Sequence, residues 1–436
     1  MLTVLKNRIY RHLFAAQVIA LIGTGLMTVA LGLLAYELAG ADAGAVLGTA
    51  LAIKMLAYVG VAPVAQAFAD RLPRRSLLVA LDLIRAAVAL CLPFVTEIWQ
   101  IYLLIFVLQA ASAGFTPTFQ AIIPDILPDE EQYTKALSLS RVAYDLENLI
   151  SPMLAAALLT IISFHNLFAG TVVGFLVSAA LVVSVTLPAT EPGPHRSVWD
   201  RTTRGIRIYL ATPRLRGLLA ISLAVSAAGA MVIVNTVVIV KVRLGLADTE
   251  VAWALAAFGG GSMIAALILP GVLNKIPDRP VMVAGAAVLV LGTAIGAFAP
   301  TYAMLLLLWL LIGIGYSAAQ TPSGRLLRRS AHAEDRPAIF AAQFALSHAC
   351  WLICYPLAGR FGTAFGLQTT FIVMSLIGLA GVALALKLWP AGDPSDIAHE
   401  HPELPRAHPH LREYASQGEH RHLLIVDDLH QSWPRE

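Results

Sequence analysis

Gln66-Ala67-Phe68-Ala69-Asp70-Arg71-Leu72-Pro73-Arg74-Arg75 separates two apolar runs, 44–68 and 76–95, and 204 positions later Asn274-Lys275-Ile276-Pro277-Asp278-Arg279 separates two more, 251–273 and 281–299. At 1.5 Å per helical residue, runs of this length reach across a hydrocarbon core of about 30 Å. The same offset pairs Val79-Ala80 with Val283-Ala284, and Pro152 with Pro356. One offset holding at distant places predicts two structural halves of six helices, related by an axis along the membrane normal.

Working outward, apolar runs recur at 13–36, 44–68, 76–95, 100–123, 136–162, 167–187, 215–240, 251–273, 281–299, 302–320, 337–360 and 366–386. Twelve transmembrane helices are therefore expected, in an all-α membrane protein. The composition agrees: 58% of residues are hydrophobic and 13% charged, against roughly a quarter charged in soluble domains. That balance excludes two or three soluble domains, and nothing in it suggests a nucleic-acid partner. The run from Leu13 to Tyr36 is longer than the apolar segment of a signal peptide and reads as a retained first helix. The cysteines Cys91, Cys350 and Cys354 lie in apolar runs and imply no disulfide framework.

Basic residues fix an expected orientation. Arg71, Arg74 and Arg75 follow the second run, six arginines lie between Arg196 and Arg216, and Lys275, Arg279, Arg325, Arg328, Arg329 and Arg336 fill later alternate loops. The opposite loops carry Lys241, Arg243 and Arg360. By the positive-inside rule both termini and the central loop are cytoplasmic. The expected divisions are an N-terminal half at 1–187, a cytoplasmic linker at 188–214, a C-terminal half at 215–388 and a tail at 389–436.

The stretch from Gln66 to Arg75 resembles the signature Gly-x-x-Ala-Asp-Arg-x-Gly-Arg-Arg of the major facilitator superfamily, departing from it at Gln66 and Pro73, where glycines are usual. The resemblance covers residues 1–390. It implies a secondary transporter, not an enzyme, in which Asp70, Arg71, Arg74 and Arg75 form a charge-paired latch that breaks and re-forms as the halves rock. The alternative is a plain positive-inside loop. Asp82 and Arg85, one turn apart, are expected to pair on one helix face and to couple to the latch.

Ionisable residues in a bilayer interior are costly and by default mark a substrate or proton path. Asp145 and Glu147 fall near mid-depth of the fifth run; Arg141 shares a face with Asp145, and Asn148 adds an oxygen ligand. Lys54 in the second run and His348 in the eleventh are further candidates, as is Asn235 in the seventh. Each also fits a packing network of buried hydrogen bonds, and Lys54 a snorkelling side chain. Gln17, Thr24, Thr28, Gln109, Thr116, Thr236 and Gln320 are expected either to line a central cavity or to bond neighbouring helices.

Seven of the twelve histidines fall in the tail: His399, His401, His408, His410, His420, His422 and His430. Neutral imidazole is a common metal ligand, and a flexible His-rich tract can wrap a cation without prior structure. With this tail the chain resembles the nickel-resistance exporters of the superfamily; Arg11-His12-Leu13-Phe14-Ala15-Ala16-Gln17 is also similar to its siderophore exporters. The resemblance implies a monomeric exporter of the bacterial cytoplasmic membrane, with no resident cofactor, moving a divalent transition-metal cation such as nickel against protons. The alternatives are a drug or siderophore exporter, and a membrane sensor that signals through its tail. No Walker-type phosphate loop is present to power an ATPase.

Overall fold

The computed structural model describes residues 2–69, 73–129, 150–187, 198–298, 301–332, 335–392, 396–399 and 420–427, with isolated positions 132, 136, 139, 140, 143, 430 and 433. The first helix, α1 (Arg8–Ala39), is capped by Asn7, whose side-chain oxygen accepts from the backbone N–H of Ile9 and Tyr10 at 3.0 and 3.1 Å. It ends at Gly40, whose φ of 53° suits a residue without Cβ, and the chain returns as α2 (Ala43–Ala69). There follow α3 (Arg74–Cys91), α4 (Ile98–Ile126), α5 (150–158) and α6 (Leu167–Val183). Beyond them come α7 (Val198–Ala211), α8 (Pro213–Val237), α9 (Asp248–Leu273), α10 (Asp278–Gly296), α11 (Tyr302–Gln320), α12 (Ser323–Arg329) and α13 (Arg336–Leu388).

Among the described residues nine helical stretches are long and apolar enough to cross a membrane. Two of these change direction within. Arg8–Val61 turns at Gly40, and α13 is broken at Gly366, where φ is 81° and ψ 161°. The outer faces are apolar: Trp99, Leu103 and Phe106 of α4 and Leu267 of α9 are all exposed. Such surface suits lipid and would be an aggregation hazard in water.

Helices α1 to α6 pack among themselves, chiefly α1 on α6, α2 on α4, and α3 on both α4 and α6. Helices α8 to α13 do the same, with α8 on α13 and α9 on α11 the largest contacts, and the main bridge between the two groups is α2 against α13. Close backbone approach makes these crossings. A Cβ on Gly261 would lie 1.9 Å from the Leu310 carbonyl oxygen, and one on Gly313 2.0 Å from that of Phe258, so α9 and α11 meet backbone to backbone. A Cβ on Gly359 would lie 2.2 Å from the Gly44 carbonyl oxygen, and one on Gly48 2.5 Å from that of Tyr355. Small residues are what permit this in a bilayer.

Two expectations need correction. The linker expected as a basic loop contains α7, whose Gly205, Ile208 and Tyr209, with Thr212 beyond its end, are buried at i, i+3, i+4 and i+7. That periodicity makes an amphipathic helix, and Arg204 and Arg207 ride on its remaining faces. The tail, expected as a flexible polar tract, forms an antiparallel pair between β1 (Asp396–His399) and β2 (His420–Leu423), and the following Leu424, Ile425 and Val426 are buried. The hydrophobic run Leu423-Leu424-Ile425-Val426 was the signal for a folded end.

Gly261→Ala is expected to cost about 1–3 kcal/mol through overpacking, whereas Gly260→Ala, with open space at its Cβ position, should be near neutral. Thermal unfolding of the two variants in detergent measures the difference; equal midpoints would refute the close α9–α11 crossing.

Candidate functional site

Among the described residues, polar side chains along the spanning helices meet in three places that bear on function. The first joins α3, α4 and α6. Asp82, fully buried, pairs with Arg85 one turn along and accepts a hydrogen bond from the Ser178 hydroxyl at 2.8 Å. The Arg85 guanidinium is sandwiched between the Phe115 and Phe175 rings, at 4.1 and 4.5 Å from their centroids. Burying a cation against two aromatic faces recovers part of its lost hydration. Arg85 also walls a cavity of about 40 Å³ lined by Gln17, Thr24, Phe115 and Phe119, large enough for roughly three waters. Gln17 accepts from the Ser140 hydroxyl at 3.2 Å, while Thr24 and Thr28 bond back to their own helix.

The second place is the seam between α2 and α13. Lys54 Nζ lies 5.7 Å from the centroid of the Tyr58 ring, and Tyr58 meets Phe344 and His348 of α13 at 5.9 and 5.6 Å. Phe344 and His348 are 3.9 Å apart, and the His348 Nδ1 is 2.6 Å from the Phe344 carbonyl oxygen. The structure thus brings together Lys54 and His348, two residues distant in sequence, through an aromatic cluster at the bridge between the helix groups. Tyr58 and Phe344 were not singled out by sequence reasoning, because aromatic residues in apolar runs carry no distinguishing signal.

At the third place Asn235 is 1% exposed, its amide donating to the Ala358 carbonyl at 3.0 Å, and the Thr236 hydroxyl accepts from the Trp309 indole at 2.8 Å. Both tie α8 to its neighbours beside the Gly44–Gly359 crossing. Cys354 lies 3.6 Å from the Ser226 hydroxyl, so α13 is tied to α8 there too.

At the end of the bundle that carries residues 73–75, Arg74 pairs with Asp125 of α4, and Arg75 donates to the Val183 carbonyl at the end of α6. Arg204 of α7 makes a two-pronged contact with Asp335 at 2.6 and 3.0 Å, and Tyr209 donates to the Gln343 side chain on α13. Burial, with a smaller contribution from Cys350, pushes the Tyr209 phenol well above its ordinary pKa, so it remains a donor at all physiological pH values. In the tail, Asp427 lies 3.0 Å from the His430 ring and 3.3 Å from that of His332, while Trp433 lies 5.2 Å from the Arg214 guanidinium carbon.

Asp70, Arg71, Asp145, Glu147, Asn148, His401, His408 and His410 lie outside the described residues. His399 and His420 face each other as register partners in the β1–β2 pair, and His422 faces Ile397. Among the described residues no three His, Cys, Asp or Glu side chains converge as a metal site.

A bundle of apolar-faced helices with a buried ion pair and a polar seam between two packed groups defines a multi-span membrane protein. The family profile of the Major Facilitator Superfamily matches residues 13–237 and 219–424, and the chain belongs to that superfamily. Its fold is that of solved members: the TM-score is 0.68 to a bacterial homolog of the human lysosomal transporter Spinster in an inward-facing state, at 13% identity over 87% of this chain and 96% of that one. The nucleoside transporter NupG gives 0.66 at 13% identity, over 87% and 98%. Among named relatives, Macrolide efflux protein A of Streptococcus pyogenes is 26% identical over 181 residues, 40% of this chain and 44% of that protein, so the match spans under half its length. The multidrug efflux pump Tap of Mycolicibacterium fortuitum is 24% identical over 350 residues, 76% of this chain and 85% of that pump.

The family is one of transporters, which agrees with the expectation that the chain is not an enzyme. The nickel expectation is overturned. The named relatives are drug and macrolide efflux proteins, so neither a transition-metal substrate nor a small inorganic cation as partner stands, and metal resistance with a metal-gathering tail falls with them. Residue type and spacing do not name a cargo; in the tail His430 is engaged by Asp427, and His399 and His420 are backbone register partners in the strand pair.

Arg85→Gln should destabilise the protein by about 3–5 kcal/mol, since it leaves Asp82 buried without its partner, and Asp82→Asn combined with Arg85→Gln should recover a substantial part. A thermal double-mutant cycle in detergent measures this; additive losses would refute the coupling.

Proposed function

We propose that this chain exports amphiphilic organic molecules of the drug class by alternating access, driven by counterflow of protons. The observation that carries the reading is the match to Tap, an efflux pump, along 85% of that protein's length. The macrolide efflux match over a shorter stretch points the same way.

In this reading the chain has twelve spans in two six-helix halves, 1–187 and 215–388, with 188–214 as the linker and 389–436 as the tail. Support comes from the 204-residue offset, from the bends at Gly40 and Gly366, and from the two separately packed helix groups. Both termini face the cytoplasm, on the strength of the basic loops. Asp70, Arg71, Arg74 and Arg75 act as the latch, and Asp82–Arg85 braces it from within α3.

Asp145 and Glu147 carry the exchanged proton, with Asn148 beside them. Charged groups at mid-depth cost about 2.5–3.5 kcal/mol each on insertion scales, which a proton path justifies. Lys54 and His348 tune that exchange across the α2–α13 seam, and the Tyr58 and Phe344 rings offer apolar faces to an organic substrate. Asn235 steadies the adjoining crossing. A monomer suffices for this mechanism.

Expression in a pump-deficient bacterium should raise tolerance to a macrolide and to a lipophilic dye, and a protonophore should abolish dye efflux. Glu147→Gln should lower the efflux rate about a hundredfold or more, by the usual magnitude of a lost proton-transfer group. No dye or macrolide efflux by the wild type would refute the proposal.

A further inference from the structure

We propose that Asn235 is a positioning residue for alternating access, whose side-chain oxygen biases one mouth of the bundle towards opening. That mouth is the end where α1 turns at Gly40 and α13 breaks at Gly366. The two helix groups meet there at the Gly44–Gly359 and Gly48–Tyr355 approaches. A second contact lies beside them: Lys241, held by Asp248 at 2.6 Å, places its ammonium 5.4 Å from the centroid of the Tyr36 ring.

The two ends of the Asn235 amide act in opposite ways. Its nitrogen donates to the Ala358 carbonyl at 3.0 Å and lies 3.4 Å from the Met231 sulfur, and both partners belong to its own helix group. A carbonyl oxygen only accepts, so the amide cannot turn over without setting two acceptors against each other. The Asn235 oxygen is thereby aimed at α2: a Cβ on Gly44 would lie 3.1 Å from it, and one on Gly362 of α13 3.3 Å. Asn235 is 1% exposed, and no donor among the described residues reaches this oxygen. Glycine backbone can offer it only weak Cα–H contacts.

An acceptor sealed in this way has lost its hydration and gained no hydrogen bond in return. Parting α2 from α13 removes the Gly44 wall and lets water reach the oxygen, whereas the bond from the amide nitrogen to Ala358, made within one group, survives. Hydration is therefore a gain made only in the opened state. Such a difference between states is what shifts a two-state equilibrium. The glycine approaches and the Tyr36–Lys241 contact favour closure, and Asn235 offsets part of it, so that the closed mouth stays reversible.

The test is pulsed electron paramagnetic resonance on the full-length protein in lipid nanodiscs, with spin labels at Ile161→Cys and Phe298→Cys, two exposed positions, one in each group. The Ile161 loop reaches this end of the bundle through His165, 3.3 Å from Glu37, and the Phe298 loop through Tyr302, whose hydroxyl donates to the Glu250 carbonyl at 2.9 Å. Cys91 is exposed and is replaced by serine; Cys350 and Cys354 are buried. The wild type should show a short and a long distance. Asn235→Leu, similar in shape, should lower the long-to-short ratio about tenfold, the effect of one sealed polar group. Gly362→Ser, which keeps the amide and supplies a hydroxyl donor from the same helix group, should lower it likewise, and Gly362→Ala, which adds bulk without a donor, should not. The Gly362 pair decides the matter if Asn235→Leu fails to fold. A wild type with no long distance, an unchanged or raised ratio in Asn235→Leu, or equal effects of Gly362→Ser and Gly362→Ala would each overturn the proposal. The inference rests on the alternating-access part of the proposed function, but its readout is a distance, so a failed drug-efflux assay leaves it standing.

Discussion

Helices surrounded by hydrocarbon gain little by hiding apolar side chains from one another, so the close approach of backbones at glycine is the constraint on which this bundle depends. Gly261 and Gly313 bring α9 and α11 into contact along their main chains, and Gly44, Gly48 and Gly359 do the same for α2 and α13. The second crossing matters more for function, because it is the main bridge between the two helix groups. It holds α2 and α13 close enough for Tyr58 to reach Phe344 and His348, which gives the seam its aromatic cluster. A rocking motion between the groups would have to open these contacts.

Charges are placed under a different constraint. Asp82 and Arg85 are buried together inside α3, and the pair persists because each of its members finds more than the other: Ser178 for the carboxylate, two phenylalanine rings for the guanidinium. At the end of the bundle carrying residues 73–75, ion pairs and strands reach between elements. The amphipathic α7 clamps onto α13 through Arg204–Asp335 and Tyr209–Gln343, and the tail returns to put Trp433 beside Arg214. Linker and tail are thus packed parts of that end of the molecule.

Much of this was legible in the residues. Span positions followed from apolar runs of membrane length, and α11 begins and ends at Tyr302 and Gln320, the limits its run sets. The Asp82–Arg85 pair followed from helical spacing. The relation of Lys54 to His348 did not, because nearly three hundred positions of chain separate them and only the α2–α13 crossing makes them neighbours. Nor did α7, since arginines on its exposed faces disguised the buried stripe of Ile208 and Tyr209. The histidine tail misled for a different reason: side-chain type and spacing suggested a metal cargo, whereas the relatives with a stated activity are drug and macrolide efflux proteins.

By itself, then, the sequence determined that this is a helical multi-span membrane protein, because the low dielectric of lipid dictates long apolar runs, and its charged loop at 66–75 carried the resemblance to the major facilitator superfamily. Tertiary structure alone decided which buried polar groups meet: that Arg85 is held between rings, that Lys54 and His348 share a seam, and that three arginines of α12 surround one cavity with Asp278. Contacts between helices depend on rotation and crossing angle, and these are set by where glycines let two backbones touch, a property of pairs of helices that no single run of residues contains.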